Sequence, residues 1–528
     1  METTQKWTVF ETRFEAASQY ENPFLDVDMT VAFRSPSGRA VIKEAFWDGQ
    51  TSWAVRFSPD EIGTWQWRTA CSDTDDAGLH DRHGAFQCVP YVGENPLYLH
   101  GPVGLSQDRR YFVHADGRPF FWLADTAWNC VLHAQEQDWR NYLQCRRQQG
   151  FSAVQFVCTQ WRAMDCDATG QTGFNYEQPI RLNPAFFQRL DAKTAAINEY
   201  GLLASPVILW TCTEVDPGQR LSQADAERVA RYIVARWGAH HVAWLLGGDG
   251  SYRAERAEPW KRIGRAVFGE PRDRLVAMHP CGQASFAEEF REETWCDVNT
   301  YQSGHGSSHR ELSWLVFGPP ATDWRTGPPR PTVNLEPNYE MHPDYFTRQF
   351  FSNYHVRRAS YWSLLVAPTA GVTYGNNPIW CWMEQPGPHP GHLSIDRYGL
   401  CPPWREGLRT PGIESISILR KFFDALPWWQ LRPTPEILCR QPGFEDPARF
   451  IAAARTDDRK LAVLYVPCGG EVDINPAALR PGMQMRWFGP RTGEWTDAPA
   501  LPEQRLVLKT PDSNDWVLCI HGALAVSS

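Results

Sequence analysis

Between Phe120 and about Asn376 short apolar runs alternate with amphipathic helical stretches, an order that points to a parallel sheet wrapped by helices. Eight runs read as strands: FFWLADTAW (120–128), FSAVQFVC (151–158), LLASPVIL (202–209), VAWLLGGD (242–249), LVAMHP (275–280), CDVNTYQ (296–302), PTVNLEP (331–337) and SYWSLLVAP (360–368). Helices are expected between them at DWRNYLQCRRQQG, PAFFQRLDAKTAAINEYG and SQADAERVARYIVARWG. Two of these end in glycine just before the next strand, as helices stopped by a left-handed cap do. Eight such units in about 250 residues predict a (β/α)8 TIM barrel, an α/β fold, spanning 119–433 with a closing helix near GIESISILRKFFDAL.

The flanks follow a different rule. Residues 1–95 alternate apolar and polar positions in short runs such as MTVAFRS and WAVRFSP, and predict an N-terminal β-sandwich. Residues 96–118 carry turn residues around a small hairpin and read as a linker. Alternation returns in KLAVLYVP, QMRWFGP and DWVLCIHG, so 434–528 is expected to form a C-terminal β-sandwich.

Composition narrows the function. A net charge of −9 and the lack of a basic stripe argue against a nucleic-acid partner, and no apolar run is long enough to span a membrane. The N-terminal METTQKWTVFETRF has neither the basic nor the apolar region of a secretory signal. Fourteen cysteines in no paired or zinc-binding spacing suit reduced thiols, and the expected location is the cytoplasm. The 25 tryptophans exceed what packing normally requires, and flat rings with one polar edge suit the C–H faces of sugars.

In a (β/α)8 barrel, reactive groups stand at the C-terminal ends of the strands. There the sequence offers Asp125 and Trp128, then Gln160 and Trp161, Glu214 and Asp216, Asp249, His279, Tyr301, Gln302 and His305, Glu336, Tyr339 and Glu340, and Tyr374 and Asn376. Carboxylates, amides, imidazoles and aromatic rings on one rim suit a polyhydroxylated ligand. Glycoside hydrolysis needs two carboxyl groups about the scissile bond, and Asp249 in WLLGGD and Glu336 in VNLEP are the expected catalytic pair. Gly247 and Gly248 are expected to leave room for a ligand. Asp125, Trp128, Gln160, Trp161, His279, Gln302, His305, Tyr339 and Tyr374 are the expected substrate-binding residues. The first strand lacks the His-x-His pair of metal-dependent barrel hydrolases, and no nucleotide-binding glycine frame or nucleophile elbow occurs, so no metal and no cofactor are expected.

Taken together, YFVHADGRPFFWLADTAW, DWRNYLQCRRQQGF, WLLGGD and NLEPNYE resemble the apiosidase-like catalytic domain, the barrel of glycoside hydrolase family 140, over roughly 105–430. The front segment resembles the sandwich that often precedes such barrels, and the tail resembles a small sandwich that follows them and carries a collagen-binding label. The resemblance implies a retaining glycosidase acting on a terminal apiose-type sugar of a small glycoside or oligosaccharide, with Asp249 as acid/base and Glu336 as nucleophile. Other sugars, such as an arabinofuranoside or a rhamnoside, and a non-catalytic carbohydrate-binding protein remain as alternatives.

Overall fold

The computed structural model describes residues 1–269, 274–390 and 399–522. Its centre is a sheet of eight parallel strands: β1 (Trp122–Thr126), β2 (Ala153–Val157), β3 (Leu203–Trp210), β4 (Ala243–Gly250), β5 (Leu275–Pro280), β6 (Asn299–Gln302), β7 (Thr332–Asn334) and β8 (Gly371–Tyr374). A two-residue antiparallel strand, Ala284–Ser285, edges β6. β8 pairs with β1, so the sheet curls into the expected barrel. Seven of the eight walls are backbone ladders. Between β5 and β6 no ladder forms among the described residues. That seam is held instead by Asp297 N to Val276 O (2.8 Å), by the Asp297 carboxylate accepting from Val276 N (3.1 Å), and by the Thr300 hydroxyl donating to Met278 O.

Helices α1 (Glu136–Gln148), α2 (Pro184–Glu199), α3 (Gln223–Trp237), α4 (Glu258–Val267), α5 (His309–Phe317), α6 (Asn353–Leu365) and α7 (Pro411–Asp424) surround the strands. The segment 360–368, expected as the eighth strand, lies mostly in α6, and the strand follows at Gly371. The reason is burial on every side. One face of α6 meets the barrel, and the other meets the C-terminal sandwich through stacked Tyr361 and Tyr465 (4.7 Å) and a bidentate Arg357–Asp515 pair (2.9 Å each). A helix covered all round loses its polar face, and its sequence no longer shows the helical period.

The N-terminal strands form a five-stranded and a three-stranded sheet around Phe10, Phe33, Trp65 and Phe86. They dock on α2 and α3 through a buried ionic cluster. Arg56 meets Asp191 (2.7 Å), and Arg236 bridges Asp191 (2.6 Å) and Asp48 (2.9 Å). The stretch expected as a linker does more than connect: Val103–Leu105, Phe112–His114 and Pro119–Phe120 make a three-stranded sheet, and Phe112 packs on Trp122 at the barrel floor (5.6 Å). The tail forms a six-stranded and a two-stranded sheet on α6 and α7, and residues 523–528 of the predicted tail lie outside the described residues. No described helix is long and apolar enough to cross a membrane.

Candidate active site

At the C-terminal ends of the strands opens a cavity of about 740 Å³, lined by Trp128, Trp161, Arg162, Trp210, Asp249, Gln302, His305, Glu336, Tyr339, His342, Tyr345 and Trp380 with Cys281 and Gly282. Both carboxylates of the expected pair face it.

Asp249 ends β4 at a broken stretch of ladder. It lies within the register shift between Gly248 and Gly250 in the pairing with β5, and its backbone is in the left-handed region with φ 51°. A bulge of this kind turns a strand-end side chain away from its expected face, and strain in a non-glycine residue concentrates where function requires a fixed aim. The neighbouring glycines serve packing, contrary to the expectation that they admit a ligand. A Cβ at Gly248 would lie 2.5 Å from the Trp210 ring, and one at Gly247 would lie 2.4 Å from the Tyr252 hydroxyl.

The two carboxyl groups are driven in opposite directions. Burial pushes the Asp249 pKa up and the Glu336 charge adds to the rise, while Arg162, with Nη2 3.3 Å from Oδ2, opposes it. Glu336 is also buried, but His279 and His305 outweigh that cost and hold its pKa far below the usual carboxylate range. His305 Nε2 lies 2.9 Å from Oε1 and His279 Nε2 lies 3.3 Å from Oε2. Environments that separate two carboxylates in this way favour the protonated form of one and the anion of the other.

The aromatic wall is interlocked. Trp128 Nε1 donates to the Tyr339 hydroxyl (3.0 Å), Trp161 Nε1 donates to Asn129 Oδ1 (3.0 Å), and the Trp161 and Trp210 rings lie 4.5 Å apart. Arg162 is flanked by these last two rings, each 5.2 Å from its guanidinium. Its buried Nε and Nη1 have no hydrogen-bond partner among the described residues, so two donors remain for a ligand.

Residues 106–430, more than half of the chain, match the family described as "Apiosidase-like, catalytic domain". The chain belongs to the apiosidase-like family. Residues 3–72 match a domain family of unknown function, and 433–521 match one described as "Putative collagen-binding domain of a collagenase". No curated protein matches the chain in sequence. Solved structures share the fold. A "putative glycoside hydrolase" from Bacteroides vulgatus covers 99% of this chain and 100% of its own at 19% identity, TM-score 0.73. A family 5 glycoside hydrolase from the same organism covers 82% and 96% at 20% identity, TM-score 0.71. A further structure described as a glycoside hydrolase covers 82% and 99% at 20% identity, TM-score 0.72.

Within this apiosidase-like barrel, Trp128, Trp161, Gln302, His305 and Tyr339 of the expected binding residues line the cavity. His279 stands behind Glu336, its ring 5.2 Å from that of Trp128. Three others lie elsewhere. Asp125 is fully buried and accepts from the Tyr142 hydroxyl (2.7 Å) and Arg146 Nε (2.5 Å) of α1. Tyr374 donates to Glu340 (2.7 Å), which also accepts from Gly412 N (2.7 Å) at the start of α7. Gln160 clamps the loop after β2, donating to Phe174 O (2.8 Å) and accepting from Gly173 N (3.0 Å). Sequence reading did not single out Arg162, Trp210, His342, Tyr345 or Trp380. Trp210 ends β3 on the same rim and was within reach of the strand-end rule, whereas Arg162 lies in an irregular loop that no periodicity marks.

Proposed function

We propose that the protein is a retaining exo-glycosidase whose acid/base is Asp249 and whose nucleophile is Glu336. The observation that carries the reading is the opposite perturbation of these two carboxyl groups in one aromatic-walled cavity. The protonated Asp249 gives its proton to the glycosidic oxygen as Glu336 attacks the anomeric carbon, forming a glycosyl ester and releasing the alcohol. The Asp249 carboxylate then takes a proton from water, which displaces Glu336 and regenerates both groups. No step needs a cofactor.

Family membership supports a terminal apiose-type sugar as the glycone. Beyond Asp249 a second, larger space of about 1540 Å³ shares Asp249 and Cys281 with the first and is lined by Glu214, Gln219, Gln223, Arg256 and Trp260. Since Asp249 protonates the leaving oxygen, the leaving group belongs on that side, and the room supports an aglycone or sugar chain of appreciable size. All fourteen cysteines are free, which supports a reducing compartment.

The test is a screen of aryl glycosides of pentoses, deoxyhexoses and hexoses, followed by Asp249→Asn and Glu336→Gln on whichever is cleaved. Each variant should lose at least about 10²-fold in kcat/KM on an unactivated leaving group, the lower end of general acid catalysis. Azide should restore part of the Asp249→Asn rate. Binding of a sugar with no turnover on any glycoside would favour the non-catalytic alternative.

A further inference from the structure

The segment after β8 holds a cluster that the proposed reaction does not use. Cys381, His389 and Cys401 are all buried, and one ligand-type atom from each lies within 4.8 Å of the others. The short antiparallel pairing of Gly387–Pro388 with Leu400–Cys401 brings the second cysteine back to the first. Asn377 lies beside all three. Its Oδ1 is 4.0 Å from Cys381 Sγ and 3.2 Å from His389 Nε2, and its main-chain oxygen is 4.0 Å from Cys401 Sγ.

The imidazole is set up as a ligand. His389 Nδ1 faces the Gly399 carbonyl at 3.3 Å, and that oxygen can only accept, so the ring proton belongs on Nδ1. The Nε2 lone pair then faces the cluster, where Asn377 Nδ2 now donates to it (2.9 Å). A ring nitrogen fixed by a carbonyl on its far side is how metal-binding histidines are held. Trp380 Nε1 donates to Asn377 Oδ1 (2.9 Å) and fixes the amide with that oxygen toward the sulfurs.

We propose that Cys381 Sγ, His389 Nε2 and Cys401 Sγ bind a thiophilic divalent cation, zinc in the first instance, with Asn377 Oδ1 or a water as fourth ligand. Two sulfurs and one imidazole select zinc over magnesium or calcium, which take oxygen donors. Metal–sulfur and metal–nitrogen bonds of about 2.3 and 2.0 Å bring tetrahedral ligand atoms to within roughly 4 Å of one another, so small side-chain rotations close the site. Binding replaces the two thiol protons, which leave to solvent, and the Asn377 amide hydrogen bond to Nε2 is given up. The ion would tie the returning chain at Cys401 to Cys381, the residue after Trp380, and Trp380 is a wall of the active-site cavity. Its role is to hold that wall, and the site stands independently of the reaction proposed above.

The experiment uses the full chain, produced in zinc-supplemented medium with any tag removed. Elemental analysis should find about one zinc per chain that survives dialysis. Cys381→Ser and Cys401→Ser should each lower that content at least fivefold, and Cys439→Ser, at an exposed cysteine, should leave it unchanged. Cobalt(II) added to metal-stripped wild-type protein should give a thiolate charge-transfer band in the near ultraviolet, a readout that needs no variant to fold. A metal content near zero with no cobalt band would overturn the proposal. So would a Cys381–Cys401 disulfide in a non-reducing peptide map of protein purified under reductant.

Discussion

Arg162→Met removes the cation that opposes Asp249 protonation while keeping an unbranched side chain between Trp161 and Trp210. The Arg162–Asp249 separation of 3.3 Å sets the scale. A unit charge pair at that distance is worth roughly 5 kcal/mol at an effective dielectric constant of about 20, and roughly 1.3 kcal/mol in bulk water. The cavity admits water, so the effect should fall toward the lower figure, a further rise of about 1–2 units in the Asp249 pKa. The direction follows from the acid's role. In the proposed reaction Asp249 donates only while protonated, and with Arg162 gone it stays protonated to higher pH. The alkaline limb of kcat/KM against pH should therefore move up by about one unit or more on a substrate with a poor leaving group, and should flatten on one whose leaving group needs no protonation. KM should rise separately, because two buried donors facing the cavity are lost. An alkaline limb that stays within about 0.3 unit of wild type would refute Asp249 as the group it reports.

The remaining predictions concern stability. Asp515→Ala leaves the Arg357 guanidinium buried without its carboxylate and should cost about 3–5 kcal/mol, read as a lowered denaturation midpoint, while Arg357→Met with Asp515→Leu should recover most of the loss. Arg56 and Arg236 hold the Asp191 pKa at about 2, below the ordinary aspartate value, so its contribution is fully present above about pH 4 and is lost as pH falls toward 2. That loss is worth about 2 kcal/mol. Asp191→Asn should flatten the acid limb of the stability curve, and an unchanged limb would remove the cluster as its source.

Much of this architecture was legible because period and position report different things. Seven strands announced themselves as apolar runs, and the eighth did not because α6 is buried on both faces and imitates one. The site was read from strand ends without asking which way each side chain points. Strand alternation answers that question. Trp122 faces the barrel floor, so Asp125, three residues on, faces the helices, and its partner in register, Tyr374, does the same. Cys381, His389 and Cys401 gave no signal because their spacing matches no compact zinc motif, and only the return of the chain at Leu400–Cys401 brings them together.

The seam between β5 and β6 lies between the strands that carry the two candidate carboxylates. Asp249 belongs to the strand next to β5, and Glu336 follows the strand next to β6. The His279–Glu336 contact reaches from β5 to the far side of the gap. Seven walls of the barrel are written in backbone, which mutation cannot erase. Among the described residues the eighth has the Asp297 N to Val276 O bond in backbone and rests otherwise on the side chains of Asp297, Thr300 and His279, so single substitutions there are expected to shift the spacing of Asp249 and Glu336.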